Sequence, residues 1–145
     1  DMKGVGMFLI VLLFVSCGYT EKELIGVYAV ADYKNTFDTI QLMEHNKYRR
    51  KIYDKNKKLV LEMDGEWNVD GDIIEFKSPY YFNLDEDLVR FPELLQDTIS
   101  GGLGYIWSSR EPLFFSKRNT LSFCIGHFAV DLPDQNCYQK LKKPK

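Results

Sequence analysis

Apolar side chains recur at every second position from Leu24 onward, and turn-forming residues interrupt them at intervals of about 8–12 residues. The alternation is clearest between Leu59 and Val69. Apolar residues lie at odd positions (Leu59, Leu61, Met63, Trp67 and Val69), and polar residues lie at even positions (Glu62, Asp64, Glu66 and Asn68). A β-strand turns successive side chains to opposite faces, whereas a helix needs a period of 3.6. We therefore predict an all-β domain, a single antiparallel up-and-down barrel or half-open barrel of about eight strands.

One segment, residues 85–100, breaks the alternation. Its acidic start, Pro92 and the Gly101–Gly102 pair after it predict a short helical insertion, placed to cap one mouth of the barrel. The predicted strands are 24–30, 37–43, 47–53, 59–69, 72–77, 105–108, 113–116, 120–125 and 137–141. Strands 113–116 and 120–125 are expected to form a hairpin.

Asp70–Gly71 is predicted to form a two-residue type I′ turn. This turn sets Gly65 opposite Phe76, so that the ring covers the bare glycine backbone. It also turns Trp67 and Phe76 to the same inward face.

Seven cations lie between Lys47 and Lys58. Each register that keeps the neighbouring apolar residues inward also pairs base with acid, so we interpret this run as an exposed, cross-strand-paired face. A nucleic-acid partner is not expected, because the net charge of -2 offers phosphates no long-range attraction. Two registers remain open: Arg49 with Glu62 and Lys47 with Asp64, or Lys51 with Glu62 and Lys47 with Glu66.

Arg50 falls on the same inward face as Tyr48 and Ile52. A buried guanidinium needs a carboxylate, a ligand anion or an open, wet end of the barrel. Two interpretations are open: Arg50 contacts a ligand, or it lies at the rim and extends to water.

The first residues form a secretion signal in this interpretation. Lys3 is followed by an apolar run over 5–15, which is too short to cross a bilayer. The junction ending in Ser16–Cys17 resembles the bacterial lipobox, whose cysteine receives lipid. We predict a signal peptide over 1–16, a lipidated Cys17 with a polar tether over 17–23, and one β domain over 24–145.

The membrane lipid is thus the first expected partner, through acyl chains such as palmitate on Cys17. Gly18, rather than aspartate, follows the cysteine, which in lipoprotein sorting favours the outer membrane, facing the periplasm or the cell surface. The alternative is an ordinary signal peptide cleaved near Ser16, and secretion is expected either way.

Cys124 and Cys137 remain as an even pair once Cys17 is lipidated. They form a disulfide in an oxidising compartment, or they are two buried free thiols. Because Cys124 points away from the apolar face of its strand, a bond between them lies outside the sheet or across an edge.

Three stretches of the domain resemble the bacterial lipocalin-like lipoproteins. They are the first strand with Gly26-Val27-Tyr28, the run Thr39-Ile40-Gln41-Leu42 leading to Tyr48, and Gly65-Glu66-Trp67 with Asp70-Gly71 and Ile73-Ile74-Glu75-Phe76. The resemblance covers residues 24–77 and implies an up-and-down or half-open barrel with an apolar cavity. It implies no particular ligand.

No catalytic constellation is visible. His45 and His127 lie in turn-like segments without metal-ligand or nucleophile–base spacing, so we expect no metal, no cofactor and no enzymatic activity. Gly101–Gly104 lacks the lysine and the context of a phosphate loop.

Two functions follow as hypotheses. The barrel binds a small hydrophobic or amphipathic ligand, or the protein docks another envelope protein through its surface or the 85–100 insertion. An enclosed apolar void favours the ligand, whereas a filled interior with an exposed apolar patch favours docking. The candidate cavity residues are Tyr28, Tyr48, Arg50, Trp67, Phe76 and Phe123.

Overall fold

A computed structural model describes residues 18–77, 79–81, 83, 85, 90, 101–110, 119–126 and 135–143. This part of the chain contains one short helix and eight strands. They are α1 (Glu21–Leu24), β1 (Gly26–Val30), β2 (Thr36–Met43), β3 (Lys47–Asp54), β4 (Leu59–Asp70), β5 (Ile73–Phe76), β6 (Gly102–Arg110), β7 (Asn119–Gly126) and β8 (Gln135–Lys140).

The strands form a closed barrel in which each strand pairs antiparallel with the next and β8 pairs with β1. The predicted all-β, up-and-down barrel of about eight strands is confirmed, in its closed form. The predicted helical insertion lies outside the described residues except for Asp85 and Arg90. Among the described residues, no helix has the length and apolar character that crossing a bilayer requires.

The hairpin predicted for 120–125 is wrong in its partner. β7 pairs with β6 on one edge, with Phe123 opposite Ile106, and with β8 on the other, with Phe123 opposite Tyr138. Both edges of β7 are therefore occupied by strands other than the predicted partner. Segment 113–116 itself lies outside the described residues.

The turn between β4 and β5 lies one residue later than predicted. Asp70 pairs with Ile73, so Gly71 and Asp72 form the turn, and Gly71 alone of these two has a positive φ, 63°. The turn is therefore not type I′, which needs positive φ at both central residues. Glycine serves the first central position as well as the second, and the Asp-Gly pair does not distinguish them.

The register moves by two residues as a result, and Trp67 lies opposite Phe76. A shift of two preserves the faces, so both rings are buried on the inside as predicted. Gly65 instead lies opposite Tyr48, and a Cβ there would come within 2.5 Å of the Tyr48 ring. The ring that covers Gly65 is therefore Tyr48 and not Phe76.

Of the two registers left open for β3 and β4, the structure has the second. Lys47 pairs with Glu66 and Lys51 with Glu62, and their side chains form ion pairs of 2.6 and 3.6 Å. Arg49 and Asp64 form a third, at 2.7 Å. All three are exposed, so each contributes only a few tenths of a kcal/mol to about 1 kcal/mol.

One end of the barrel, here called the N-terminal end, carries the start of β1, the ends of β2 and β8, and the β4–β5 turn. Part of the segment predicted as a polar tether forms α1, which begins after the N-cap Thr20. Leu24 at the end of α1 is fully buried, and its carbonyl accepts a hydrogen bond of 2.7 Å from Tyr28 Oη. The helix thus packs against the core at this end.

Candidate functional site

The interior contains a buried ion pair between Arg50 on β3 and Asp38 on β2. Ile40 lies opposite Arg50, so Asp38 occupies the next inward position along β2. Arg50 Nε donates to Asp38 Oδ1 at 3.1 Å and Nη2 donates to Oδ2 at 2.8 Å, and both residues are 0% exposed. The inward direction of Arg50 is confirmed. The interpretation that it extends to water at the rim is wrong, because a carboxylate and not solvent satisfies the guanidinium.

A stretch of chain after β5 reaches the barrel interior; we call residues 79–81 and 83 the inner segment. Arg50 Nη1 donates to the carbonyl of Tyr81, and Tyr48 Oη donates to the carbonyl of Pro79 at 3.2 Å. The Tyr80 ring lies 4.8 Å from Arg50 Cζ and stacks on Phe76. The inner segment therefore fills interior space that the inward side chains leave.

Neutral polar side chains extend the network around the ion pair. Asn83 Nδ2 donates to Thr36 Oγ1 and to Asp38 Oδ2, at 3.0 and 3.2 Å. Tyr138 Oη donates to Asp38 Oδ1 at 3.2 Å, so the carboxylate accepts bonds from three residues. Among the described residues, none donates a hydrogen bond to the Oδ1 atom of buried Asn83. A carboxylate that accepts this many hydrogen bonds holds the inner segment in place through Asn83.

The network continues outward from the ion pair. Asn136 Nδ2 donates to Tyr80 Oη at 3.0 Å, and Tyr33 Oη donates to Asn136 Oδ1 at 2.8 Å. Tyr80 and Tyr138 hydroxyls lie 3.3 Å apart. The polar side chains therefore form one connected cluster and not isolated buried groups.

Burial and charge set the ionisation of this cluster. Burial alone would lower the pKa of Arg50, but the Asp38 carboxylate and the nearby phenols outweigh it, and the pKa lies above its usual value. Burial raises the pKa of Tyr80 and Tyr138 above their usual value and that of Tyr48 to about 12. The tyrosines are thus neutral hydrogen-bonding groups at neutral pH, while Arg50 is charged.

Asp85, two residues beyond the inner segment, binds the loop between β1 and β2. Its carboxylate accepts hydrogen bonds from the backbone N–H groups of Lys34, Asn35 and Thr36, at 3.2, 2.8 and 3.1 Å. Partial burial acts to raise the pKa of Asp85, but these N–H donors outweigh it and hold the pKa below its usual value. The hydrogen bonds of Tyr48 to Pro79 and of Asn83 to Asp38 thus hold the two ends of the inner segment, and Asp85 attaches the chain just beyond it.

All six predicted cavity residues come together inside the barrel, and each is 0% exposed. Tyr28 lies 4.9 Å from Phe123, and Tyr48 lies 5.0 Å from Phe76, between ring centroids. Trp67 Nε1 donates to the carbonyl of Lys47 at 2.9 Å. The six side chains therefore pack inside the barrel and are closed to solvent.

Sequence reasoning missed the partners of Arg50. Asp38 shares its parity with Ile40 and Leu42, which are buried, so the alternation of β2 already contained the signal for an inward carboxylate. Tyr80 and Asn83 belong to no strand, and no local pattern places them inside. Tyr138 is inward by the parity of β8.

Cys124 and Cys137 lie directly opposite each other on β7 and β8 and form a disulfide, with their Cα atoms 4.0 Å apart. Of the two alternatives, the structure has the bond and not the free thiols. Cys137 is exposed and Cys124 half-buried, so the bond lies on the outer face of the sheet, as their parity predicts.

The outer wall carries an apolar strip along β5 and β6. Its members face outward and are 39–54% exposed: Ile73, Leu103, Tyr105 and Trp107. Ile73 lies opposite Tyr105 across the two strands, so the side chains are contiguous. Adjacent large apolar residues turned to solvent typically mark an interaction surface.

Within the described residues, no group of three or more histidine, cysteine or carboxylate side chains is placed to hold a metal ion. Cys17 and His127 lie outside the described residues. Comparison with known proteins finds no matching family model, no matching curated protein and no matching solved structure.

Proposed function

We propose that the protein is a lipid-anchored protein of the bacterial cell envelope. Its barrel is a non-catalytic module that docks another envelope protein through its outer surface. One observation carries the choice between docking and ligand transport. The six inward side chains have no accessible surface, whereas the apolar strip on β5 and β6 is open to solvent.

The membrane attachment in this proposal is supported by the sequence alone. The apolar run over 5–15 and the Ser16–Cys17 junction are what a lipoprotein signal requires. The outer membrane, facing the periplasm or the cell surface, is the proposed location, because Gly18 follows the cysteine. A lipidated Cys17 would hold the N-terminal end of the barrel close to the membrane.

The charges around the apolar strip indicate the chemistry of the partner. Asp72 in the β4–β5 turn and Glu75 on β5 are exposed beside it, and Glu75 lies opposite Leu103. In the part of the chain that the structure describes, neither carboxylate forms an ion pair with a cation. A protein surface with an apolar centre and a basic rim complements this arrangement, and an anionic lipid surface does not.

Site-specific crosslinking in the source cells tests the docking surface. A photoreactive residue at Tyr105 should form a covalent adduct with one envelope protein, and Leu103→Asp should abolish it, because a charge in the apolar centre costs binding energy. The control position is Phe37, which is 52% exposed on β2, across the barrel from β6. Equal adducts from both positions, or none from Tyr105, would contradict the proposal.

Two further measurements separate the parts of the proposal. Cys17→Ser should abolish incorporation of labelled fatty acid, and continued labelling would remove the anchor from it. Native mass spectrometry of the purified barrel should show no bound small molecule other than membrane phospholipid; a stoichiometric apolar adduct of another kind would favour ligand transport instead.

A further inference from the structure

A groove with a volume of about 760 Å³ lies on the barrel at its N-terminal end, between β1, β2 and the residues that follow β8. Its apolar members include Val27 and Leu141, which are 39% and 45% exposed. The Leu141 N–H donates to the Val27 carbonyl at 2.7 Å, so the segment after β8 is held along β1 and forms one wall. A volume of this size suits a small-molecule group.

The groove is positively charged. Three lysines line it, Lys140, Lys142 and Lys143, and Glu44 is the one carboxylate among its lining residues. Lys140 Nζ donates to the carbonyl of Glu23 at 3.0 Å. Burial, and then the charge of Lys143, lowers the pKa of Lys140. This concentration of like charge favours an anionic occupant.

Lys142 and Lys143 form no ion pair with the described residues. Both are exposed, and over residues 135–143 and the rest of the described chain no carboxylate pairs with either. The chain as a whole has a net charge of -2, so any attraction for an anionic surface must come from a local cluster of this kind.

The position of the groove relative to the N-terminus indicates where that surface is. Tyr19 N–H donates to the carbonyl of Gly71 at 2.8 Å, which holds the first described residues at the N-terminal end. Ile25 and Gly26, directly after α1, line the groove. The groove therefore opens at the barrel end from which the chain leads back to Cys17.

We propose that this groove binds the headgroup of an anionic phospholipid in the membrane that carries the protein. Lys142 and Lys143 contact the phosphate, and the apolar side chains of Val27 and Leu141 contact the glycerol and the first methylenes. This inference rests on the membrane attachment in the proposed function. It involves the β8–β1–β2 side of the barrel and not the β5–β6 side that carries the apolar strip.

Vesicle partition of the chain starting at Gly18 tests the inference without the anchor, because all eight strands and α1 lie within this chain. It should bind vesicles of phosphatidylethanolamine and phosphatidylglycerol, and much less those of phosphatidylethanolamine and phosphatidylcholine. Lys142→Ala with Lys143→Ala should lower the partition coefficient about 25-fold, as expected for about fivefold per lysine near a charged surface. Leu141→Ser should lower it about threefold through lost apolar contact.

The matched control removes two exposed lysines of the β3–β4 turn, at the opposite end of the barrel. Lys55→Ala with Lys58→Ala changes the net charge equally and should alter partition less than about twofold, because charges beyond a Debye length are screened. Equal loss in both double variants would show diffuse attraction and overturn the inference. Absence of partition onto the anionic vesicles would also overturn the inference, and it would do so even if an acidic peptide were found to bind the groove.

The outcomes are distinguishable from those of the proposed function. Failure of fatty-acid labelling would remove the anchor while leaving vesicle partition to be measured. Failure of the Tyr105 crosslink would remove the docking surface, which lies on the other side of the barrel.

Discussion

Neutralising Asp38 is the sharpest perturbation of the barrel interior. Asp38→Asn preserves the shape of the side chain but leaves the Arg50 charge fully buried without a counter-charge, with one amide oxygen and the Tyr81 carbonyl as its acceptors. It also places an amide NH₂ group near Tyr138 and Asn83, whose side chains donate hydrogen bonds to the carboxylate. Breaking a buried ion pair from one side costs about 3–5 kcal/mol. We expect the free energy of unfolding to fall by this amount, a large share of the roughly 5–15 kcal/mol typical of a domain.

Urea denaturation at neutral pH measures this loss, followed by tryptophan fluorescence, which changes as buried Trp67 becomes exposed to water. Asp38→Asn, Arg50→Met and the double variant form a cycle whose coupling energy should reach about 2 kcal/mol or more, since the two groups are in direct contact. The matched control is Asp64→Asn, which breaks the exposed pair with Arg49 and should cost less than about 1 kcal/mol. A cost for Asp38→Asn no greater than that of Asp64→Asn would refute the reasoning.

Two other perturbations test features outside the barrel interior. Cys124→Ser with Cys137→Ser should lower the free energy of unfolding by about 3 kcal/mol, as expected for a bond spanning 13 residues, and a reductant should move the urea midpoint of the unaltered protein to that of the variant; an unmoved midpoint would contradict it. Asp85→Asn should destabilise the protein at pH 6, because it removes the charge that the backbone N–H groups bind. Asparagine tolerates the positive φ of 67°, so the substitution does not strain the backbone. Because the pKa of Asp85 is lowered on folding, its contribution is complete above the unfolded pKa of about 3.9 and is lost as pH falls through the folded value. The stability difference between the two proteins should therefore shrink below about pH 4 in acid-denaturation curves, and a constant difference down to pH 2 would contradict this.

The inward and outward faces of the strands were predictable because the side-chain period of a strand is two and survives errors in register. Trp67 and Phe76 face inward together although their predicted partners were displaced by two residues. The charge pairing of β3 and β4 was predictable to within two registers. The choice between them depends on which neighbour Tyr48 covers, and that is Gly65.

The amino-acid sequence by itself determined the class of fold and the faces of its strands, since local alternation and turn residues suffice for both. It also contained the inward parity of Asp38, which local reasoning could have used. Only the tertiary structure decided that the barrel closes, that β7 pairs with β6, and that the inner segment reaches Arg50. These contacts join residues far apart in the chain, and their energies depend on burial and on partners that no local pattern specifies.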